Sequence, residues 1–221
     1  MTGEDVELRD GSWSPNRKRP LALVLAIGGL LLAAGWGVRA YLTDLAARPE
    51  DNAAPPHPVV NAPYIPTPDD VVERMLELAE VGPDDVVYDL GCGDGRIVVA
   101  AAKEYGCRCF GFDINPERVA EARDNARREG VEQLVEIDQR DILTLDLSKA
   151  TVVTMYLLPK LNAALIPQLE KLAPGSRVVS HEFDIDGLVP DRKAPVLKEG
   201  NSLATMLYLY TAPLKHRKAT K

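Results

Sequence analysis

The sequence predicts a doubly wound α/β domain, a seven-stranded, mostly parallel sheet covered by helices, behind an N-terminal transmembrane helix. Three observations carry this. Strand-like apolar runs alternate with helical periodicity from Thr67 to Phe183, the pattern of parallel strands joined by crossover helices. Gly91, Gly93 and Gly95 cluster where the first strand would pass into a helix. Leu21 to Val38 is a run of 18 residues without a charge, which at about 1.5 Å per residue just spans a bilayer core.

Residues 1–20 form a polar tail with four acids and four bases. Arg17, Lys18 and Arg19 precede the apolar run, Arg39 follows it, and Trp36 and Tyr41 suit an interfacial belt, so 21–41 reads as a retained anchor. A cleaved signal peptide, which shares the basic start and apolar core, is the competing reading. Residues 42–66 form a linker and pre-domain segment, where Pro49, Pro55, Pro56, Pro58, Pro63 and Pro66 exclude a helix.

The domain then occupies 67–212. Thr67-Pro68-Asp69-Asp70 reads as a helix start, with a capping hydroxyl and early acids, and Val72, Met75, Leu76 and Ala79 give its apolar stripe. Val86–Leu90 is the first strand. A helix with Val98, Ala101, Ala102 and Tyr105 on one face stops at Gly106, and Cys107–Phe112 is the second strand. Asn115-Pro116 opens a helix that closes near Gly130. Strands follow at Leu134–Ile137 and Thr151–Leu157, a helix at Leu161–Leu172, and a strand at Ser176–Phe183. Ala194–Lys198 and Leu203–Tyr210, with no helix between them, predict a hairpin at one edge. Residues 213–221 are a basic tail.

The chain's net charge is −7; with a neutral first twenty residues and four bases in the last nine, −11 falls on residues 21–212. So acidic a body excludes a nucleic-acid partner, because phosphate contacts need basic residues in excess. Three cysteines give neither a disulfide framework nor a zinc pattern. Cys107 and Cys109 should share one strand face as small buried hydrophobes. His57, His181 and His216 are scattered, and no metal is expected.

The chemistry lies in Asp89-Leu90-Gly91-Cys92-Gly93-Asp94-Gly95-Arg96. A turn without Cβ atoms lets a ligand approach the backbone, and the following helix start offers free N–H groups. The GxGxG spacing differs from the dinucleotide fingerprint. Asp89 would repel a diphosphate but suits an ammonium or an ordered water. Asp113, at the end of the second strand, can accept from both hydroxyls of a ribose, with Asn115 close by. Asp141 can face an adenine amino group, with Ile114 and Ile142 packed on the ring. A ligand with an amino-acid end, a ribose and no phosphate fits all of these, and S-adenosylmethionine is such a ligand.

These residues resemble those of class I S-adenosylmethionine-dependent methyltransferases, with a Rossmann-like fold, over about 62–183. With the hydrophobic N-terminal segment and Ala62-Pro63-Tyr64-Ile65-Pro66-Thr67, the sequence is similar to the membrane-associated protein-lysine methyltransferases that act on the ATP synthase c-ring protein and the ADP/ATP carrier. The resemblance implies that Tyr64 and Thr67 lie near the cofactor and that the acceptor is a protein lysine, with a membrane protein favoured. That family tends to have Ser where Cys92 stands and Glu where Asp113 stands. A lipid-soluble small molecule as acceptor, or a non-catalytic binding module, stays open. Tyr156, at the end of the fourth strand, is the candidate to contact the accepting nitrogen, and a packed strand tyrosine is its alternative. Asp94 and Glu182 are weaker candidates for the same edge. The basic flanks favour an outward domain, yet S-adenosylmethionine is made inside cells, so the domain is expected on the cytosolic side of the membrane.

Overall fold

The computed structural model describes residues 64–197 and 204–218. The predicted polar tail, anchor and most of the linker lie outside the described residues. Among the described residues, no helix is long and apolar enough to cross a membrane.

Helix α1 (Asp69–Leu78) buries Val72, Met75 and Leu76 on the predicted stripe. Its start differs from the expectation. Pro68 occupies the N-cap and its carbonyl takes the N–H groups of Val71 and Val72. Thr67 is drawn inward and buried, because its carbonyl accepts from Arg96, and its hydroxyl does not cap the helix. Strand β1 (Val86–Leu90) follows as predicted. Helix α2 (Arg96–Tyr105) stops at Gly106, which is left-handed with φ 69°. Strand β2 (Arg108–Asp113) starts one residue late; Cys107 and Cys109 are both buried, their Sγ atoms 3.6 Å apart.

Asn115 caps helix α3 (Pro116–Arg128), its side-chain oxygen accepting from the Glu117 N–H. Next come β3 (Val135–Gln139) and β4 (Val152–Met155). The single helix expected at 161–172 is two short ones, α4 (Pro159–Ala164) and α5 (Ile166–Leu169). Pro167, which lacks an N–H, opens the second and prevents a continuous ladder. Strands β5 (Arg177–His181), β6 (Arg192–Leu197) and β7 (Ala204–Thr211) complete the sheet.

The strand order is β3-β2-β1-β4-β5-β7-β6. The first five strands are parallel, and β7 runs antiparallel between β5 and β6, the predicted edge hairpin. One sheet face packs Val87, Cys109, Val152 and Val179 against α1, α2 and α3, and the other packs Leu90, Val153 and Met155 with Leu165 and Leu169. Each such buried side chain contributes about 1.5–3 kcal/mol. The chain winds outward from β1 to β3 and returns at β4, so the switch point, where ligands bind beyond the strand ends, lies between β1 and β4.

Candidate active site

At that switch point the loop after β1 folds back on β2. The N–H groups of Gly91 and Cys92 both donate to the Phe112 carbonyl, at 2.8 and 2.9 Å, and that of Gly95 donates to the Cys92 carbonyl at 2.8 Å. Gly91, Gly93 and Gly95 all have positive φ, at 79°, 55° and 78°. A Cβ on Gly91 would lie 2.8 Å from Leu157 Cδ2, one on Gly93 2.4 Å from Tyr64 Cε2, and one on Gly95 2.8 Å from the Ala122 Cβ. Each glycine thus admits a side chain from a separate part of the domain. Cys92 turns its thiol away, into the core against Gly111, where burial pushes its pKa far up. Only its backbone belongs to the loop.

Four acids surround the loop, each in a different state. Asp89 is buried; Oδ1 accepts from the Thr154 hydroxyl at 2.8 Å, while Oδ2, equally buried, has no hydrogen-bond partner. Burial pushes this carboxyl up to about 7, against the pull of the Thr154 bond and helped by the charges of Asp113 and Asp94. Asp113 accepts from the Gly93 N–H at 2.9 Å through Oδ2 and from the Asn115 N–H at 2.9 Å through Oδ1, so it braces the loop. Asp94 is clamped by Arg96, with Nη2 2.6 Å from Oδ2 and Nε 3.0 Å from Oδ1. Burial raises the Asp94 carboxyl, but the Arg96 bonds outweigh it and its pKa lies below the usual range. Asp141 accepts from the Leu143 N–H at 2.9 Å, capping a 3₁₀ turn at Ile142–Thr144.

The remaining predicted residues divide. Tyr64 lies with its ring against Gly93 and the Arg118 guanidinium 4.6 Å from the ring centre, and its hydroxyl interacts with Asp94. The Thr67 carbonyl accepts from Arg96 Nη1 at 2.8 Å. Arg96 therefore fastens the pre-domain segment to the loop, a role the sequence reading missed. Its signal was available: a cation in the first turn of a helix opposes the helix dipole and calls for a nearby carboxylate. Ile114 is exposed, Ile142 is buried, and the bond from the Arg140 N–H to the Asp113 carbonyl, at 2.9 Å, brings the two exits together. The Asn115 side chain is committed to capping α3.

Tyr156 follows β4, and its hydroxyl donates to Glu182 Oε2 at 2.7 Å. Burial, that bond and the Glu182 charge push its pKa up to about 12, so it remains a hydrogen-bond donor at neutral pH.

The residues fit S-adenosylmethionine. The orphaned, buried Asp89 oxygen needs a donor such as an ammonium or a bridging water. Each Asp113 oxygen takes one backbone N–H, and a carboxylate has further acceptor sites for hydroxyls.

Residues 89–192 match the family described as the ANTKMT methyltransferase domain. The chain is 49% identical over 154 residues to a protein-lysine N-methyltransferase of Saccharolobus islandicus (strain REY15A), covering 69% of this chain and 94% of that one. The chain belongs to this methyltransferase family. It is 34% identical over 156 residues to the adenine nucleotide translocase lysine N-methyltransferase of Mus musculus, covering 69% of this chain and 66% of that one. A solved structure named as an RNA methyltransferase from Salinibacter ruber, in complex with S-adenosyl-L-homocysteine, is 48% identical, with a TM-score of 0.62 over 71% of this chain and 98% of that one. The methyltransferase is thus an S-adenosylmethionine-dependent enzyme with a seven-stranded Rossmann-like sheet.

Proposed function

We propose that this methyltransferase N-methylates a lysine of a protein, and that residues 21–41 tether it to a membrane with the catalytic domain on the cytosolic side. The observation that carries the acceptor is the 49% identity across 94% of a relative named a protein-lysine N-methyltransferase. The relative named for the adenine nucleotide translocase supports a membrane protein as the target. The uncharged run Leu21–Val38 supports the tether, since confinement beside a membrane substrate raises its effective concentration.

S-adenosylmethionine supplies a methyl group on a sulfonium, so that a nitrogen–carbon bond forms as the carbon–sulfur bond breaks and its electron pair stays on sulfur. The chain's residues hold and align. Asp89, with its unpartnered oxygen, would receive the amino-acid end, Asp113 the ribose, and Asp141 with Ile114 and Ile142 the adenine. Tyr64 and the segment through Thr67 shield the site from water.

An RNA acceptor is a second reading, favoured by the name of the Salinibacter structure. The charge of −11 on residues 21–212 argues against it. Full-length enzyme in mild detergent, incubated with methyl-tritiated S-adenosylmethionine and solubilised membranes carrying their bound RNA, distinguishes the acceptors. Base-stable label in protein, recovered as methyl-lysine, is the expected result. Label in lipid or RNA instead would overturn the lysine reading.

A further inference from the structure

Beside the glycine loop, at the carboxyl ends of β4 and β5, stands a cluster that cofactor binding does not use. Register sets Met155 of β4 between Leu90 of β1 and Ser180 of β5. One step further, the Tyr156 and His181 rings meet with centroids 4.0 Å apart, and Tyr156 holds the Glu182 carboxylate.

Glu182 has a φ of 67°, in the left-handed region that glycine favours. The Phe183 N–H donates back to the His181 carbonyl at 2.8 Å, closing a three-residue γ-turn around it. This strained turn is held from outside. The Glu182 N–H donates to the Met206 carbonyl at 2.7 Å, and the Ser180 hydroxyl to the Phe183 carbonyl at 2.6 Å. Buried Asn162 donates to Ser180 Oγ at 3.3 Å and to the Phe183 carbonyl at 3.4 Å. Glycine would serve this turn without strain, and the glutamate side chain is exposed and makes no ion pair among the described residues. Neither turn nor packing calls for a carboxylate. The strained backbone presents it just past the carboxyl end of β5, the same sheet edge as the glycine loop, with β4 between them.

We propose that Glu182 receives the ε-ammonium of the substrate lysine, with Tyr156 fixing the carboxylate and lending its ring face; this rests on the lysine reading above. An alkylammonium offers three donors and no acceptor, and matches a carboxylate beside an aromatic face. The held ammonium gives up one proton to solvent, to which Glu182 is open. The freed lone pair then forms the bond to the methyl carbon while the carbon–sulfur pair remains on sulfur.

The test uses the full-length protein in detergent, poly-L-lysine as acceptor, and calorimetric binding of S-adenosyl-L-homocysteine. Glu182→Gln is expected to raise the KM for poly-L-lysine at least about tenfold, with S-adenosyl-L-homocysteine affinity within about twofold, and Glu182→Asp to recover part of the loss. Glu182→Gly relieves the turn, so its Tm rises by about 2–4 °C while acceptor affinity falls as in Glu182→Gln. An unchanged KM in Glu182→Gln, with wild type forming methyl-lysine, overturns this inference alone. Loss of Tm and of S-adenosyl-L-homocysteine binding in all three variants makes Glu182 structural and overturns it too. No methyl-lysine from wild type on either poly-L-lysine or solubilised membranes removes the lysine reading, and this inference with it.

Discussion

Asp89 holds its proton more tightly in the folded protein than in the unfolded chain, since burial lifts its carboxyl from the ordinary 3.8 to about 7. The stability this contributes is therefore full below pH 4 and is lost as the pH rises through 7. Wild-type Tm is expected to fall by about 5 °C more than that of Asp89→Asn between about pH 5 and pH 7.5, read by scanning fluorimetry; parallel curves would refute it. Asp113→Ala removes the acceptor for two backbone N–H groups as well as the expected ribose contact, and should weaken S-adenosyl-L-homocysteine binding by about a hundredfold or more. Tyr156→Phe should lower turnover about tenfold and leave that binding unchanged, by calorimetry beside steady-state kinetics. At this scale the loop and its acids were legible because they follow one another at fixed spacing on contiguous strand ends. Glu182 was a minor candidate in the sequence, since nothing about a glutamate announces a left-handed φ that only Ser180, Asn162 and Met206 impose.

Between elements, the ends of the strands away from the site are tied by one arginine. Arg177, opening β5, donates to the Ala79 carbonyl after α1 and forms an ion pair with Asp85 before β1 at 2.8 Å, and Asp85 also accepts from Thr151 before β4 at 2.6 Å. Burial raises the Asp85 carboxyl, and the Arg177 and Thr151 bonds outweigh it, so its pKa is depressed. Arg177→Met leaves the half-buried Asp85 carboxylate without its ion partner, though still bonded to Thr151 and Gly82, and is expected to cost about 1–3 kcal/mol in urea unfolding, with KM for both substrates unchanged. A change in KM without loss of stability would contradict that placement. Element type and order were legible from apolar periodicity, and no strand end moved by more than two residues. The misread elements share a cause. At Pro68 and Pro167 the fixed proline geometry decided where a helix begins, and at Thr67 a partner 29 residues away, Arg96, outweighed local capping.

The chain has two parts, residues 1–56, with the uncharged run 21–38, and the unit 57–221, which holds every described residue. If the first serves only as a tether, a fragment beginning at His57 should keep its Tm within about 2 °C and methylate soluble poly-L-lysine within about threefold of full length. Its labelling of membrane protein should fall by about tenfold or more, because confinement is gone. Equal labelling by both would make the tether dispensable. Protease added to intact spheroplasts should leave the domain whole if it faces the cytosol; digestion from outside would reverse the orientation. The fold class was legible in the chain, as was the acidic body. The lysine acceptor rests on resemblance, since the residues proposed to meet it, Tyr156 and Glu182, come from the ends of two strands and carry no shared motif.

The three glycines of the loop are filled by Tyr64, Leu157 and Ala122, which enter from before the first helix, from beyond the fourth strand and from the third helix. The cradle therefore has no local existence. During synthesis its eight residues emerge long before Leu157 does, and until the fourth strand is in place the Gly91 side of the turn has its bond to Phe112 but lacks the side chain that packs on it. Cofactor capture becomes a late event that reports completed assembly. A ligand that recognises only the finished chain stabilises it by mass action, so the methyl donor should raise the stability of the enzyme that consumes it.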